Sequence, residues 1–125
     1  IDLTISDNNN RNVLYYAAHE GMIKIVEQIL QSKKININQI DNNCSTALHQ
    51  ACSKGYTSIV KLLLNEPNIQ PNLQDDDGIS YYLDIHWTPL ICAVSEGYID
   101  IVKLLVERKD VDLNIQGKDG VWFYA

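Results

Sequence analysis

The chain has 125 residues, of which 46% are hydrophobic, and a formal net charge of −6. Its length and apolar fraction are typical of one domain with a continuous core. No apolar run is long enough for a membrane span, and no segment has the charged, apolar and small-residue order of a signal peptide. The acidic balance argues against a nucleic-acid partner, because such partners require clustered Lys and Arg and the longest basic cluster here is Lys33-Lys34.

The same landmarks recur along the chain, which predicts a stack of similar units. Gly21 and Gly55 lie 34 residues apart, and Gly97 follows after a further 42. An Ile-Val pair follows each of these glycines at the same distance. Self-similarity at this period is typical of repeat proteins, in which each unit buries its apolar face against its neighbours. The difference between 34 and 42 predicts an insertion of 8 residues in the third unit.

The first two units are predicted to cover residues 7–40 and 41–74. In each of them, apolar residues recur at helical spacing on both sides of a glycine, which predicts a pair of helices. Residues 41–44 read Asp-Asn-Asn-Cys, a turn signature. Thr46 then stands where an N-cap belongs, and Gly55 is predicted to end the helix that follows.

The second helix of the 41–74 unit is predicted to begin at Ser58 and to be stopped by Pro67. Residues 59–64 between them are almost all apolar. Such a wide apolar stripe predicts a helix that packs against other elements on more than one side.

The third unit is predicted to cover 75–116, with the insertion at 79–86. Thr88 followed by Pro89 is the strongest helix-start signal in the chain. The inserted segment is not the polar, glycine-rich sequence of an inert linker. Its notable side chains and the adjoining tryptophan are Tyr81, Tyr82, Leu83, Ile85, His86 and Trp87. Two interpretations stay open: the segment packs locally on the neighbouring turn, or it is a recognition loop, since Tyr and Trp dominate interface hot spots.

Several motifs resemble those of the ankyrin repeat. Residues 46–49 read Thr-Ala-Leu-His, residues 88–90 read Thr-Pro-Leu, and Ile-Val-Lys-Leu-Leu occurs at 59–63 and 101–105. The resemblance implies an all-α repeat fold, an ankyrin solenoid whose units each have a β-hairpin followed by a helix-turn-helix. It also implies a right-angled stack of these units, with a long inserted hairpin loop in the third.

The sequence departs from the ankyrin pattern in places. The first unit reads Asn-Val-Leu-Tyr at 12–15 where the family has Thr-Pro-Leu-His, so its cap and its histidine are both altered. Asn10 and Cys44 stand where glycine is usual in the hairpin turns. Residues 1–6 and 117–125 resemble parts of flanking repeats, and we expect a single domain over 1–125 cut from a longer array.

In ankyrin repeats, partners usually lie across the hairpin tips and the inner helices. Carried over by position, the partner-binding residues implied here, besides the inserted segment, are Arg11, Glu20, Asn42, Asn43, Ser53, Lys54, Asp76, Asp77, Ser95 and Glu96. The basic members come early and most acidic members come late. We therefore expect a partner protein that presents an aromatic or apolar anchor with a basic flank.

Catalytic and metal chemistry is not indicated. An EF-hand loop aligned on Gly78, which follows three aspartates, would place its first ligand on Leu73, which cannot bind calcium. His49 occupies the structural position of the family, where imidazole ties the hairpin to the helix. Cys44 near His49 lacks an oxyanion site, and Cys52 is interpreted as a buried packing thiol. We expect no enzyme activity, no cofactor and no metal.

The sequence therefore predicts a non-catalytic, protein-binding scaffold module. Its three cysteines have no spacing typical of a disulfide framework or a zinc site, so we expect reduced thiols and a cytoplasmic location, with no nucleic-acid or membrane partner. The alternative is a structural or targeting segment of a longer multidomain protein, such as a kinase or a channel. A third hypothesis is self-association through an exposed apolar end.

Overall fold

The helix signals of the sequence produce six α-helices in the computed structural model, which describes residues 2–75 and 87–114. No β-strand occurs within those two ranges, so the predicted hairpin strands stay a prediction. The helices are α1 Val13–Glu20, α2 Ile23–Ser32, α3 Ala47–Lys54, α4 Thr57–Leu64, α5 Pro89–Glu96 and α6 Ile99–Val106.

Side-chain caps start the first helix of each pair. Thr46 and Thr88 each accept a hydrogen bond from the backbone N–H three residues later, at 3.3 Å in both cases, which confirms the predicted caps. Pro89 is the first residue of α5, as predicted. Asn12 caps α1 in the way that the two threonines cap their helices: its side chain accepts a hydrogen bond from the N–H of Tyr15 at 2.9 Å. The altered first unit therefore keeps its cap by using a different N-capping side chain.

The second helices start without a side-chain cap, and the predicted start at Ser58 is wrong. Helix α4 begins at Thr57, and its N-cap residue Tyr56 makes no capping side-chain bond. The N–H of Thr57 donates to the carbonyl of Gly55 at 3.0 Å, so the tight turn after α3 leads directly into α4. Ser58 is left exposed within the first turn of the helix.

Helix α4 ends before the proline that was expected to stop it. Its last residue is Leu64 and its C-cap is Asn65, so Pro67 lies three residues beyond the helix. Helix α6 ends at Val106, the residue equivalent to Leu64, although no proline follows it there. Proline is therefore compatible with this helix end but does not define it.

The helices pack in two layers, which form one core. Helix α3 contacts both α1 and α5 in the first layer, and α4 contacts α2 and α6 in the second. Each helix also packs against its own partner, and the core cluster runs through all six. The predicted multi-sided packing of α4 is confirmed, since Ile59, Val60, Leu63 and Leu64 are buried.

Asparagine side chains link successive loops at the edge of the stack. The Asn38 side chain donates to the carbonyl of Asn68 at 2.7 Å and accepts from the N–H of Gln70 at 2.9 Å. Asn72 makes the equivalent pair of bonds to the loop after α6. These bonds satisfy loop backbone groups that no helix or strand pairs.

Candidate protein interface

The turn before α3 presents exposed asparagines on a tightly bonded frame. The carboxylate of Asp41 accepts the N–H of Asn43 at 2.8 Å, and Cys44 takes a left-handed φ of 59°. Asn42 donates its backbone N–H to the carbonyl of Asn9 at 3.0 Å, which links two successive turns. The side chains of Asn42 and Asn43 are therefore exposed on a backbone held from both sides.

His49 ties its helix to the next turn, which confirms its predicted structural role. Its Nε2 donates to the carbonyl of Trp87 at 2.9 Å, because a carbonyl can only accept. Its Nδ1 then accepts the N–H of Thr46 at 3.1 Å. The ring is buried and both nitrogens are satisfied only in the neutral form. Burial lowers the pKa of His49 to about 4, although the bonds to the carbonyls of Trp87 and Leu73 act in the opposite direction.

Tyr15 makes in the first pair the link that His49 makes in the second. It lies 34 residues before His49, and its hydroxyl interacts with the carboxylate of Asp41 and with Ser45 in the next turn. Burial raises the pKa of Tyr15, and the interaction with Asp41 raises it further. This role of Tyr15 was not predicted from the sequence, although its spacing from His49 indicates that the two residues occupy equivalent positions.

Replacing Tyr15 with phenylalanine is expected to lower the free energy of unfolding by about 1–3 kcal/mol, because the buried carboxylate of Asp41 loses its interaction with the hydroxyl. The matched control is Tyr16→Phe. The Tyr16 hydroxyl also bonds a carboxylate, that of Asp7, but at an exposed site. Its loss should cost clearly less than the loss of the Tyr15 hydroxyl. Urea unfolding measures both, and equal costs would contradict the linking role of Tyr15.

A pocket of about 260 Å³ lies between these turns and the first-layer helices. We call it the turn pocket, and its lining includes Tyr15, Asp41, Gln50, Ser53, Asp75 and Trp87. Gln50 is fixed by two bonds, accepting from His19 at 2.7 Å and donating to Ser45 at 3.1 Å. The pocket thus combines two aromatic rings and two carboxylates with an amide held in one orientation.

Two family models match the chain. A model described as ankyrin repeats (3 copies) matches residues 1–75, and a model described as ankyrin repeat matches residues 86–118. The chain belongs to the ankyrin-repeat family. Ankyrin repeats are generally non-catalytic modules that bind other proteins. Among curated proteins, no match to this ankyrin chain was found.

Trp87 holds a fixed place in the ankyrin stack. It is half-buried and packs against the core cluster, and its Nε1 is buried with no hydrogen-bond partner within the described part of the chain. Its backbone N–H donates to Asp75 at 3.0 Å, and its carbonyl accepts the Asp75 N–H at 2.7 Å. These two bonds join the residues on either side of 76–86.

The other predicted interface residues differ in their exposure and in their contacts with the rest of the ankyrin chain. Arg11 is paired with Asp7 at 2.9 Å and lies over the ring of Tyr16 at 5.1 Å. Ser53 is half-buried in the turn pocket. The remaining described residues are exposed at the ends of the first-layer helices and comprise Glu20, Lys54, Ser95 and Glu96. Seven predicted residues lie outside the described ranges: Asp76, Asp77, Tyr81, Tyr82, Leu83, Ile85 and His86.

No metal-binding group of His, Cys, Asp or Glu occurs among the residues that the structure describes. Cys52 is buried as predicted, and burial raises the pKa of its thiol well above its ordinary value. A thiol in that state is a poor nucleophile. In the same part of the ankyrin chain, none of the helices has the length and apolar character needed to cross a bilayer.

Proposed function

We propose that this ankyrin domain binds a partner protein through its turns, its first-layer helices and the 79–86 segment. The observation that carries the proposal is the turn pocket, a concave site on the side from which Asn42 and Asn43 project. Concave sites that combine aromatic rings with oriented polar groups are suited to recognising a partner side chain.

The lining of the turn pocket favours a basic or aromatic side chain from the partner. Tyr15 and Trp87 offer ring surface, while Asp41 and Asp75 bring two carboxylates into a partly dehydrated site. An Arg or Lys could lay its apolar stem on the rings and its charge near the carboxylates. This chemistry agrees with the net charge of −6 and with a partner that carries a basic flank.

The 79–86 segment is proposed to extend the same surface. One backbone bond and one bond from the Trp87 N–H to the Asp75 carboxylate join the residues on either side of 76–86, and both residues line the turn pocket. The equivalent closure one unit earlier joins Asp41 and Ser45 at 2.9 Å, across only four residues. The family matches cover 1–75 and 86–118, and the gap between them supports an insertion in this unit. Additional loop residues on a rigid repeat frame commonly carry specificity.

The proposal is tested by replacing serine with arginine at two positions that lie on different faces of the domain. Ser53→Arg places a large cation in the turn pocket, whereas Ser58→Arg makes the same change on exposed α4 in the second layer. Proteins captured from an extract of the source cells are compared by mass spectrometry. We expect the specific partner to be retained by Ser58→Arg and reduced at least about tenfold by Ser53→Arg, as expected when a hot-spot pocket is blocked.

A second comparison tests whether the inserted segment contributes to partner binding. Tyr81→Ala with Tyr82→Ala should weaken capture of the same partner while leaving helical content and melting unchanged; Trp87 is kept because it packs against the core. If wild type, Ser53→Arg and Ser58→Arg capture identical sets, the binding proposal is wrong. The alternative of a structural segment within a longer protein would then be favoured.

A further inference from the structure

Three turns of the chain are closed in the same way, which places one residue of each at an equivalent position along the stack. In each turn, the N–H of an aspartate donates to the carbonyl of the closing residue, and the aspartate carboxylate accepts the N–H of that residue. These bonds measure between 2.7 and 3.1 Å. The pairs are Asp7 with Arg11, Asp41 with Ser45, and Asp75 with Trp87.

The turn pocket lies where the closing residue is small. Ser45 lines the pocket together with Trp87 of the following unit and Tyr15 of the preceding one. Because α3 packs between α1 and α5, the equivalents of Ser45 in the flanking units are Arg11 on one side and Trp87 on the other. The guanidinium carbon of Arg11 lies 6.0 Å from the centre of the Tyr15 ring. Arg11 therefore borders the pocket without lining it.

The guanidinium of Arg11 is held in place through only one of its nitrogens. Its Nε donates to the Asp7 carboxylate at 2.9 Å, and its central carbon lies 5.1 Å from the centre of the Tyr16 ring. The Tyr16 hydroxyl bonds the same carboxylate. Within the described part of the chain, neither Nη atom of Arg11 has a hydrogen-bond partner, and the side chain is 33% exposed. The two Nη groups form a planar fork that matches the two oxygens of an incoming carboxylate.

We propose, on the basis of the binding function above, that the domain recognises a partner segment with two opposite charges: a basic side chain in the turn pocket and an acidic side chain on Arg11. The carboxylates of Asp41 and Asp75 line the pocket and favour a cation there. Arg11 at its border favours an anion. A segment with like charges at both places would be repelled at one of them, so the pair adds specificity to the basic anchor.

The spacing of the two charges in the partner follows from the size of the Tyr15 ring that separates the two sites. Residues two or three positions apart in an extended segment are separated by about 7–10 Å. One tyrosine ring with a contact on either side has a similar width. A basic and an acidic residue at that spacing would therefore reach the pocket and Arg11 together.

The test uses a display library of random linear peptides as the probe and the whole 125-residue chain as the target. We expect wild type to enrich peptides with Lys or Arg at that spacing from Asp or Glu. Arg11→Gln should still enrich the basic residue but not the acidic one, whereas Ser53→Arg should no longer enrich the basic residue. Lys61→Gln removes the same charge from the exposed side of α4 and should enrich the same peptides as wild type. Circular dichroism checks that all variants fold.

A double-mutant cycle on one enriched peptide measures the pairing directly by isothermal titration calorimetry. Changing the acidic residue of the peptide to the corresponding amide should weaken its binding to wild type about threefold to fivefold and leave its binding to Arg11→Gln unchanged. Arg11→Lys keeps the charge but loses the planar fork, so the effect of the amide peptide should be smaller than with wild type.

The outcomes separate the role of Arg11 from the binding function itself. Enriched peptides without an acidic residue at that spacing, or an acidic preference that survives Arg11→Gln, would overturn the charge-pair inference and leave the turn pocket as a binding site. An equal effect of the amide peptide on wild type and on Arg11→Gln would overturn the inference as well. If wild type enriches no peptides that Ser53→Arg loses, the turn pocket is not a binding site, and both proposals are wrong.

Discussion

Replacing Gly55 with alanine is expected to lower the free energy of unfolding by about 3 kcal/mol, whereas the same change at Gly97 should cost about 1 kcal/mol. Both glycines end a first-layer helix with a left-handed φ of 78°, so the backbone strain added by alanine is the same. The difference comes from Tyr98, whose ring would lie 2.8 Å from the new methyl group at position 55. Chemical denaturation of the two variants measures the contrast directly.

The role of Tyr98 can be separated with a double-mutant cycle. In a Tyr98→Ala background, Gly55→Ala should cost no more than Gly97→Ala does in the native background, because only the backbone strain remains. Equal costs for the two alanine variants in the native background would show that the Tyr98 ring moves aside without a free-energy cost. The close contact between helix pairs would then not contribute to specifying the stack.

Acidification is expected to destabilise the domain by roughly 3 kcal/mol through His49 alone, between about pH 6.5 and about pH 4. The unfolded chain takes up a proton as the pH falls below about 6.5, while folded His49 resists protonation until its lowered pKa of about 4. Stability through this group is therefore complete at neutral pH and is lost as the pH falls. The structural reason is that Nδ1 accepts the buried N–H of Thr46, which a protonated ring could not do.

His49→Gln provides the comparison that isolates this effect. The variant should be less stable than wild type at pH 7.5, because it loses the bond to the carbonyl of Trp87 and the bond from Thr46. Carboxylate titrations are common to both proteins and cancel in the difference between them. The two stabilities should therefore converge as the pH approaches about 4. A constant difference from pH 7.5 to 4 would contradict a neutral, buried His49.

Local signals in the sequence were sufficient to place the starts of α3 and α5 and the glycine ends of the first-layer helices. The N-caps at Thr46 and Thr88 act within one helical turn, so their effect does not depend on the rest of the fold. The positive φ of Gly55 likewise follows from the helix end itself. The left-handed φ values of Asn10 and Cys44 agree with their positions where glycine is usual in the family.

Two features of the fold were not predicted, one within a unit and one between units. The start of α4 at Thr57 was missed because the helix begins from the turn after Gly55 and not from a capping side chain. The turn pocket was missed because its walls, Tyr15 and Trp87, lie in units far apart in the sequence. The interface residues outside the described ranges remain predictions, and only the binding experiments assign them.

The sequence by itself determined the period, the helix pairs and the family, because each of these rests on signals repeated at 34 or 42 residues. Only the tertiary structure decided which side chains make contacts between successive helix pairs. It made Tyr15 the counterpart of His49 and left Met22 exposed where Tyr56 and Tyr98 are covered. The physical reason is that a side chain's role across the stack depends on whether a neighbouring unit faces it. Residues of the same position can therefore be buried in one unit and exposed in the next.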